Sequence, residues 1–252
     1  MGRIWDDVIP ERDRRVFEEA GYGVLGGWGA RPALLVVDVT YDFCGDRPEP
    51  ILDSIQKFRN SCGEAAWEAI PHLQRLIAAA RAKGVPVIYT KADEHRTPIR
   101  VGSWAFKNSR ALGPTEISRR MGNQIVAEIA PQEGDLVIEK DKPSAFFGTP
   151  LLSYLVLLGC DSVIVTGTTT SGCVRATVID AFSNNLRVTV AEECCFDRLI
   201  VSHKVNLFDM HGKYADVRSV DECIAYLMTL PDPSSDLRLV AARAFEYSEQ
   251  RG

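Results

Sequence analysis

No stretch of this 252-residue chain reaches the roughly 18–20 consecutive apolar residues needed to span a bilayer. The N-terminus MGRIWDDVIPERDRR lacks the basic-then-apolar pattern of a secretion signal, so a cytoplasmic location is expected. Positive charge is not in excess either. The formal net charge is −5, which gives the chain as a whole no attraction for nucleic acid or an anionic membrane surface. CxxC pairs are missing. The seven cysteines (44, 62, 160, 173, 194, 195 and 223) are odd in number, which argues against a disulfide framework. The one close pair, Cys194-Cys195, is adjacent in sequence and does not suit zinc. Neither a metal nor a cofactor is expected, and most of these thiols should be reduced, buried and small apolar groups. Internal repeats and low-complexity tracts are absent.

What the chain does have is apolar mass. At 46% hydrophobic residues it can bury one sizeable core. Runs of β-branched residues recur at Ala33–Val37, Val85–Tyr89, Asp135–Ile138, Ser162–Thr166 and Arg187–Val190, with a shorter one at Ala215–Val217. They are nearly continuous in apolarity, as strands covered on both faces are. Between them, helical spacing is read over Ala66–Lys83 (with Pro71 starting or kinking the helix), Thr149–Leu158, Cys173–Asn184, Val201–Lys213 and Ser219–Met228. The alternation predicts an α/β fold: three α/β/α layers around a mostly parallel six-stranded sheet with Rossmann-like topology. The expected main domain covers 31–232. Residues 1–30 form an N-terminal arm, with a helix at Arg12–Ala20 and a glycine-rich stretch lying over the core or a partner. Residues 233–252 form a C-terminal tail, helical over Asp236–Gln250. The segment 92–115 has little periodicity, and long irregular loops are often functional.

In an open parallel sheet, ligands bind at the carboxyl ends of the strands. Asp38 ends the first strand, Lys140 follows the third and Cys173 opens a helix after the fourth. A thiol at a helix start feels the positive end of the helix dipole, and a nearby ammonium also favours thiolate. An aspartate can take the thiol proton and return it to a leaving amine. The small residues of TGTTTSG offer backbone N–H groups to an oxyanion. Each residue also has an inert reading: Asp38 as a turn cap, Lys140 as part of a solvated Glu139–Lys142 charge cluster, Cys173 as a structural helix-start cysteine.

RPALLVVDVTYDF (31–43), VIEKDKPSAFFGTPL (137–151) and VTGTTTSGCVRATVIDAFSNNLRVTVAEECCFDR (165–198) resemble the isochorismatase-like cysteine hydrolases. The resemblance implies a catalytic triad of Asp38, Lys140 and Cys173. Lys140, not Lys142, stands four residues before the serine of Ser144-Ala145-Phe146. It further implies a cis peptide at Thr168–Thr169, and an oxyanion hole of the backbone N–H groups of Thr169 and Cys173. The N-terminal RVFEEAGYGVLGGWGARPALLVVD is similar to the start of the N-carbamoylsarcosine amidase and maleamate amidohydrolase branch. There Arg198 corresponds to a carboxylate-binding arginine, which suits a bidentate guanidinium; the alternative is a structural pair with Asp197. Phe43, Phe146 and Trp104 are assigned to the substrate wall, with Arg47 and Phe106 as further contributors. The implied activity is hydrolysis of a small amide or ureido compound through a thioester, by a dimer or tetramer. Vinyl-ether hydrolysis of the isochorismatase type is one alternative. The other, a nicotinamidase, needs an Asp and two His for its metal, whereas this chain has Asp93 and His95 but no further histidine until His203.

Overall fold

The structure, a computed structural model, describes residues 2–94, 97–107 and 115–232, with the side chains of 98, 101, 105 and 106 left aside. Its centre is a six-stranded, wholly parallel sheet: β1 (Pro32–Val37), β2 (Val87–Ala92), β3 (Leu136–Lys140), β4 (Ser162–Thr168), β5 (Arg187–Phe196) and β6 (Asp216–Arg218), in the order β3-β2-β1-β4-β5-β6. The helices in chain order are α1 (Glu11–Glu19), α2 (Tyr41–Cys44), α3 (Ile51–Lys57), α4 (Glu64–Ala82), α5 (Pro98–Val101), α6 (Trp104–Lys107), α7 (Glu116–Met121), α8 (Leu151–Leu157), α9 (Arg175–Ser183), α10 (Ile200–Lys213) and α11 (Val220–Thr229).

β1 and β4 are buried along their whole length, and alternate residues feed two cores. On one face Leu34, Val36, Tyr89 and Ile164 pack with Leu73, Leu76 and Ile77 of α4 and Leu227 of α11. On the other, Leu35, Val37 and Val165 pack with Leu155 of α8, Val178 of α9 and Leu207 of α10. This double cover is why these strands read as continuous apolar runs instead of alternating ones. Ser219 caps α11 in a full capping box with Glu222.

Three expectations are corrected. β5 runs to Phe196, well past Val190, because its far half pairs with Gly167 and Thr168 after a register shift whose extra residues lie on β5 itself. α4 begins at Glu64 and passes through Pro71, whose ring lies on the exposed side. The helix expected from Cys173 is preceded by a π-helical turn over Thr170–Val174, which places Cys173 within that turn and ahead of α9.

The N-terminal arm lies over the chain's own core. Trp5 is buried against Phe208, and Phe17 packs on the same ring at 4.6 Å. Asp216 accepts from the N–H groups of Gly26 and Gly27 at 2.8 and 3.0 Å, and Trp28 stacks on Tyr226 at 4.2 Å. His95, the side chain of Phe106 and the segment 236–250 lie outside the described residues. No described helix is long and apolar enough to cross a membrane.

Candidate active site

β1 and β4 lie side by side with Val37 opposite Gly167. The approach is so close that a Cβ on Gly167 would stand 2.1 Å from the carbonyl oxygen of Val37, and Gly167 adopts φ +99°. Only glycine fits there. The strand ends are thereby drawn together, and the residues that follow them, Asp38 and the turn Thr168–Cys173, share one rim.

Asp38 itself has φ +54°, a left-handed conformation that aspartate tolerates better than most residues. Thr90 at the end of β2 holds it there. The Thr90 hydroxyl accepts from Asp38 N–H at 3.1 Å and donates to Oδ1 at 2.7 Å. The other carboxylate oxygen, Oδ2, accepts from Lys140 Nζ at 2.6 Å, and the same ammonium donates to the carbonyl of Lys142 at 3.1 Å. Both side chains of the pair are at most 6% exposed. Lys140 is therefore no member of a solvated charge cluster, and removing either partner would strand a buried charge at a cost of about 3–5 kcal/mol.

Cys173 opens onto the same cavity as the pair, close enough for both charges to act on its thiol. Burial and the adjacent Asp38 charge push its thiol up to about 12, while Lys140 pulls it down. The thiol is consequently protonated at neutral pH. The pull of the ammonium toward thiolate is present, but burial and the carboxylate outweigh it. Burial works against the Lys140 ammonium, but the Asp38 carboxylate beside it offsets this and its pKa lies above the ordinary lysine value. The resting site thus holds a neutral thiol beside a buried ion pair, with the proton acceptor already in contact.

Asp38, Lys140 and Cys173 open onto a cavity of about 440 Å³, as do Thr169, Arg198, Phe43 and Trp104. The Thr168–Thr169 peptide bond is cis. Arg198 lies over the Phe43 ring, with its guanidinium carbon 5.6 Å from the ring centre, and donates to the carbonyl of Asn60. It makes no ion pair with Asp197 or with any other of the described residues. Two expectations differ. Phe146 is buried in the apolar cluster beneath β3 and β4, where its ring packs the core and does not reach the cavity wall. Arg47 turns to Glu49 and away from the cavity. Asp93, considered as a metal ligand, is paired with Arg100.

Several residues of the site carry no signal in the sequence. Thr90 acts only because β2 is next to β1. Asp197 accepts from the Ser171 N–H and hydroxyl at 2.8 and 2.6 Å and from the Arg198 N–H at 2.7 Å, tying the turn that carries Cys173 to the end of β5. Ser118 of α7 donates to Asp42 at 2.6 Å on the cavity's far wall. Residues 32–222 match the isochorismatase domain. The chain belongs to the isochorismatase family. It is 35% identical over 226 residues to the N-carbamoylsarcosine amidase of an Arthrobacter species, covering 88% of this chain and 80% of that one. It is 31% identical over 215 residues to the maleamate amidohydrolase of Pseudomonas putida, covering 82% and 93%. Among solved structures, N-carbamoylsarcosine amidase from Thermoplasma acidophilum superposes with a TM-score of 0.59 at 27% identity, covering 76% of this chain and 97% of that one. The layered α/β fold with a mostly parallel six-stranded sheet expected from the strand pattern is the fold observed, with every strand of the sheet parallel.

Proposed function

We propose that this family member is a cysteine amidohydrolase that cleaves a C–N bond of a small linear amide or N-carbamoyl compound bearing a carboxylate, and releases ammonia through a thioester. The observation that carries the reading is the contact of Cys173 with Asp38 and Lys140 in a cavity that also holds the Arg198 guanidinium. The relatives named as an N-carbamoylsarcosine amidase and a maleamate amidohydrolase support it.

As the thiol attacks the carbonyl carbon, its proton passes to Asp38 and the S–C bond forms. Negative charge moves to the carbonyl oxygen, which the backbone N–H groups of Thr169 and Cys173 receive. Asp38 gives the proton to the departing nitrogen, the C–N bond breaks and ammonia or an amine leaves. Asp38 then takes a proton from water, whose oxygen attacks the thioester, and returns it to the sulfur. Lys140 keeps the carboxylate paired through both halves of the cycle. Because the thiol is neutral at rest, nucleophile and base are created in one step, and a free thiolate does not stand exposed to other electrophiles. Arg198, flattened against Phe43, takes the substrate carboxylate, and Trp104 closes the wall. A dimer or tetramer working in the cytoplasm, with residues 31–232 as the hydrolytic unit, completes the proposal.

The test is ammonia release from N-carbamoyl amino acids, maleamate, biuret and nicotinamide. One or more of the first two should be turned over, and Cys173→Ala should lower the rate by about 10⁴-fold or more. A fully active Cys173→Ala would instead favour vinyl-ether hydrolysis, which does not need the thiol.

A further inference from the structure

One carboxylate holds both the turn that carries Cys173 and the arginine that shares its cavity. Asp197 is buried immediately after β5. Its Oδ2 accepts from the N–H and the hydroxyl of Ser171, two residues before Cys173, at 2.8 and 2.6 Å. Its Oδ1 accepts from the Arg198 N–H at 2.7 Å. Each tethered part is held a second time. Thr170, fully buried in the same turn, has its hydroxyl 2.8 Å from Nδ1 of His203 on α10. The Arg198 guanidinium lies over the Phe43 ring and donates to the Asn60 carbonyl. Asp197 itself does not line the cavity onto which Cys173 and Arg198 open, so its influence there passes through these two segments.

A free arginine side chain has several rotatable bonds with which to follow a ligand; one fastened at its backbone and its head does not. The separation between guanidinium and sulfur is then a fixed property of the site. Resting on the amidohydrolase reading above, we propose that Asp197 is a positioning residue that sets selectivity for substrate length, by fixing Arg198 relative to the turn of Cys173. A substrate one methylene too long or too short can meet the guanidinium or place its carbonyl over the sulfur, but not both. A misplacement of about 1 Å at the reacting atoms can cost about 10²-fold in rate. The tie requires a carboxylate. In Asp197→Asn the shape is kept, but the amide offers one acceptor oxygen and one donor nitrogen, so it serves Ser171 or Arg198 and not both.

A substrate series of graded length tests this: N-carbamoylglycine, N-carbamoyl-β-alanine and N-carbamoyl-γ-aminobutyrate, which add one methylene at each step. In the unmodified enzyme kcat/KM for the best of them should exceed that for the next by about 10–100-fold. Asp197→Asn should bring all of them to within about threefold, with the best losing most. A merely structural role lowers every member alike and leaves the ratio standing, which would overturn the proposal, as would an unmodified enzyme indifferent to length. Ser171→Ala removes only the hydroxyl bond to Asp197 and should narrow the ratio part-way. It carries the test if Asp197→Asn does not fold, and an unchanged ratio there counts against the proposal. Calorimetric binding of the same acids to Cys173→Ser protein separates the tie from the activity. Should no acid release ammonia, the amidohydrolase assignment fails, while a length preference in Kd that Asp197→Asn erases still supports the tie. A Kd series without preference, or one that Asp197→Asn leaves unchanged, overturns it.

Discussion

The two sides of the cavity are built differently. On the catalytic side every group is fastened to a strand end: Asp38 to β1 and through Thr90 to β2, Lys140 to β3, and the Cys173 turn to β4 at Gly167. Asp38 and Lys140 there are buried and paired with each other. On the substrate side Phe43, Asn60, Arg198 and Trp104 ride on connecting segments and short helices, and their contacts are ring faces and backbone carbonyls. Chemistry that needs sub-ångström contact sits on elements that cannot move without breaking the sheet, whereas selectivity sits where sequence can change without unfolding the protein.

If that division is right, changes on the two sides affect different kinetic quantities. After the loss of the Cys173 thiol itself, the largest effect is expected for Asp38→Asn. Turnover should fall by about 10³-fold or more, since the proton acceptor is gone. The same change should make Cys173 easier to alkylate at pH 8, because Asp38 raises the thiol's pKa and Lys140, freed of its partner, lowers it. Iodoacetamide labelling followed by mass spectrometry reads this directly, and slower labelling in Asp38→Asn would contradict the account of the resting thiol. A smaller effect is expected on the substrate side. Arg198→Met should raise KM by about 10–100-fold for carboxylate-bearing substrates, the range of a lost charged hydrogen bond, and change kcat by less than about tenfold. Steady-state kinetics with a charged substrate and its neutral amide sharpens the comparison: an equal loss on both would make Arg198 part of the catalytic side.

The smallest effect at ordinary pH, growing with alkalinity, concerns the core beneath the catalytic side. Burial pushes Cys62 up to about 11 and Cys223, like Cys173, up to about 12; Cys44, Cys194 and Cys195 are also raised. In the unfolded chain these thiols ionise near about 8.5. Below that pH both states are protonated and the stability is fully present. Above it the unfolded chain loses protons that the folded chain keeps, so stability falls by about 1.4 kcal/mol per pH unit for each such thiol until the folded pKa is reached. Urea midpoints at pH 7.5, 9 and 10 should decline progressively. A flat profile would mean that these cysteines are not held in the apolar core.

Much of this arrangement is legible in local sequence. The apolar runs of β1 and β4 announce strands covered on both sides, and Ser219 with Glu222 announces a capped helix. Asp38, Lys140 and Cys173 stand out because each follows a strand. Less legible were the reach of β5, which resumes its pairing with β4 only after extra residues of its own, and the place of Phe146, whose position beside the Lys140 segment says nothing about which way its ring turns.

Strand and helix order follow from the sequence alone, because hydrophobic periodicity and turn residues act over a few positions and need no partner. The protonation of Cys173, the grip of Thr90 on Asp38 and the tether of Asp197 to Ser171 were decided only in the tertiary structure. Each depends on burial and on groups separated by tens of residues, and electrostatic energies respond to distance and solvent exposure, which exist only once the chain has folded.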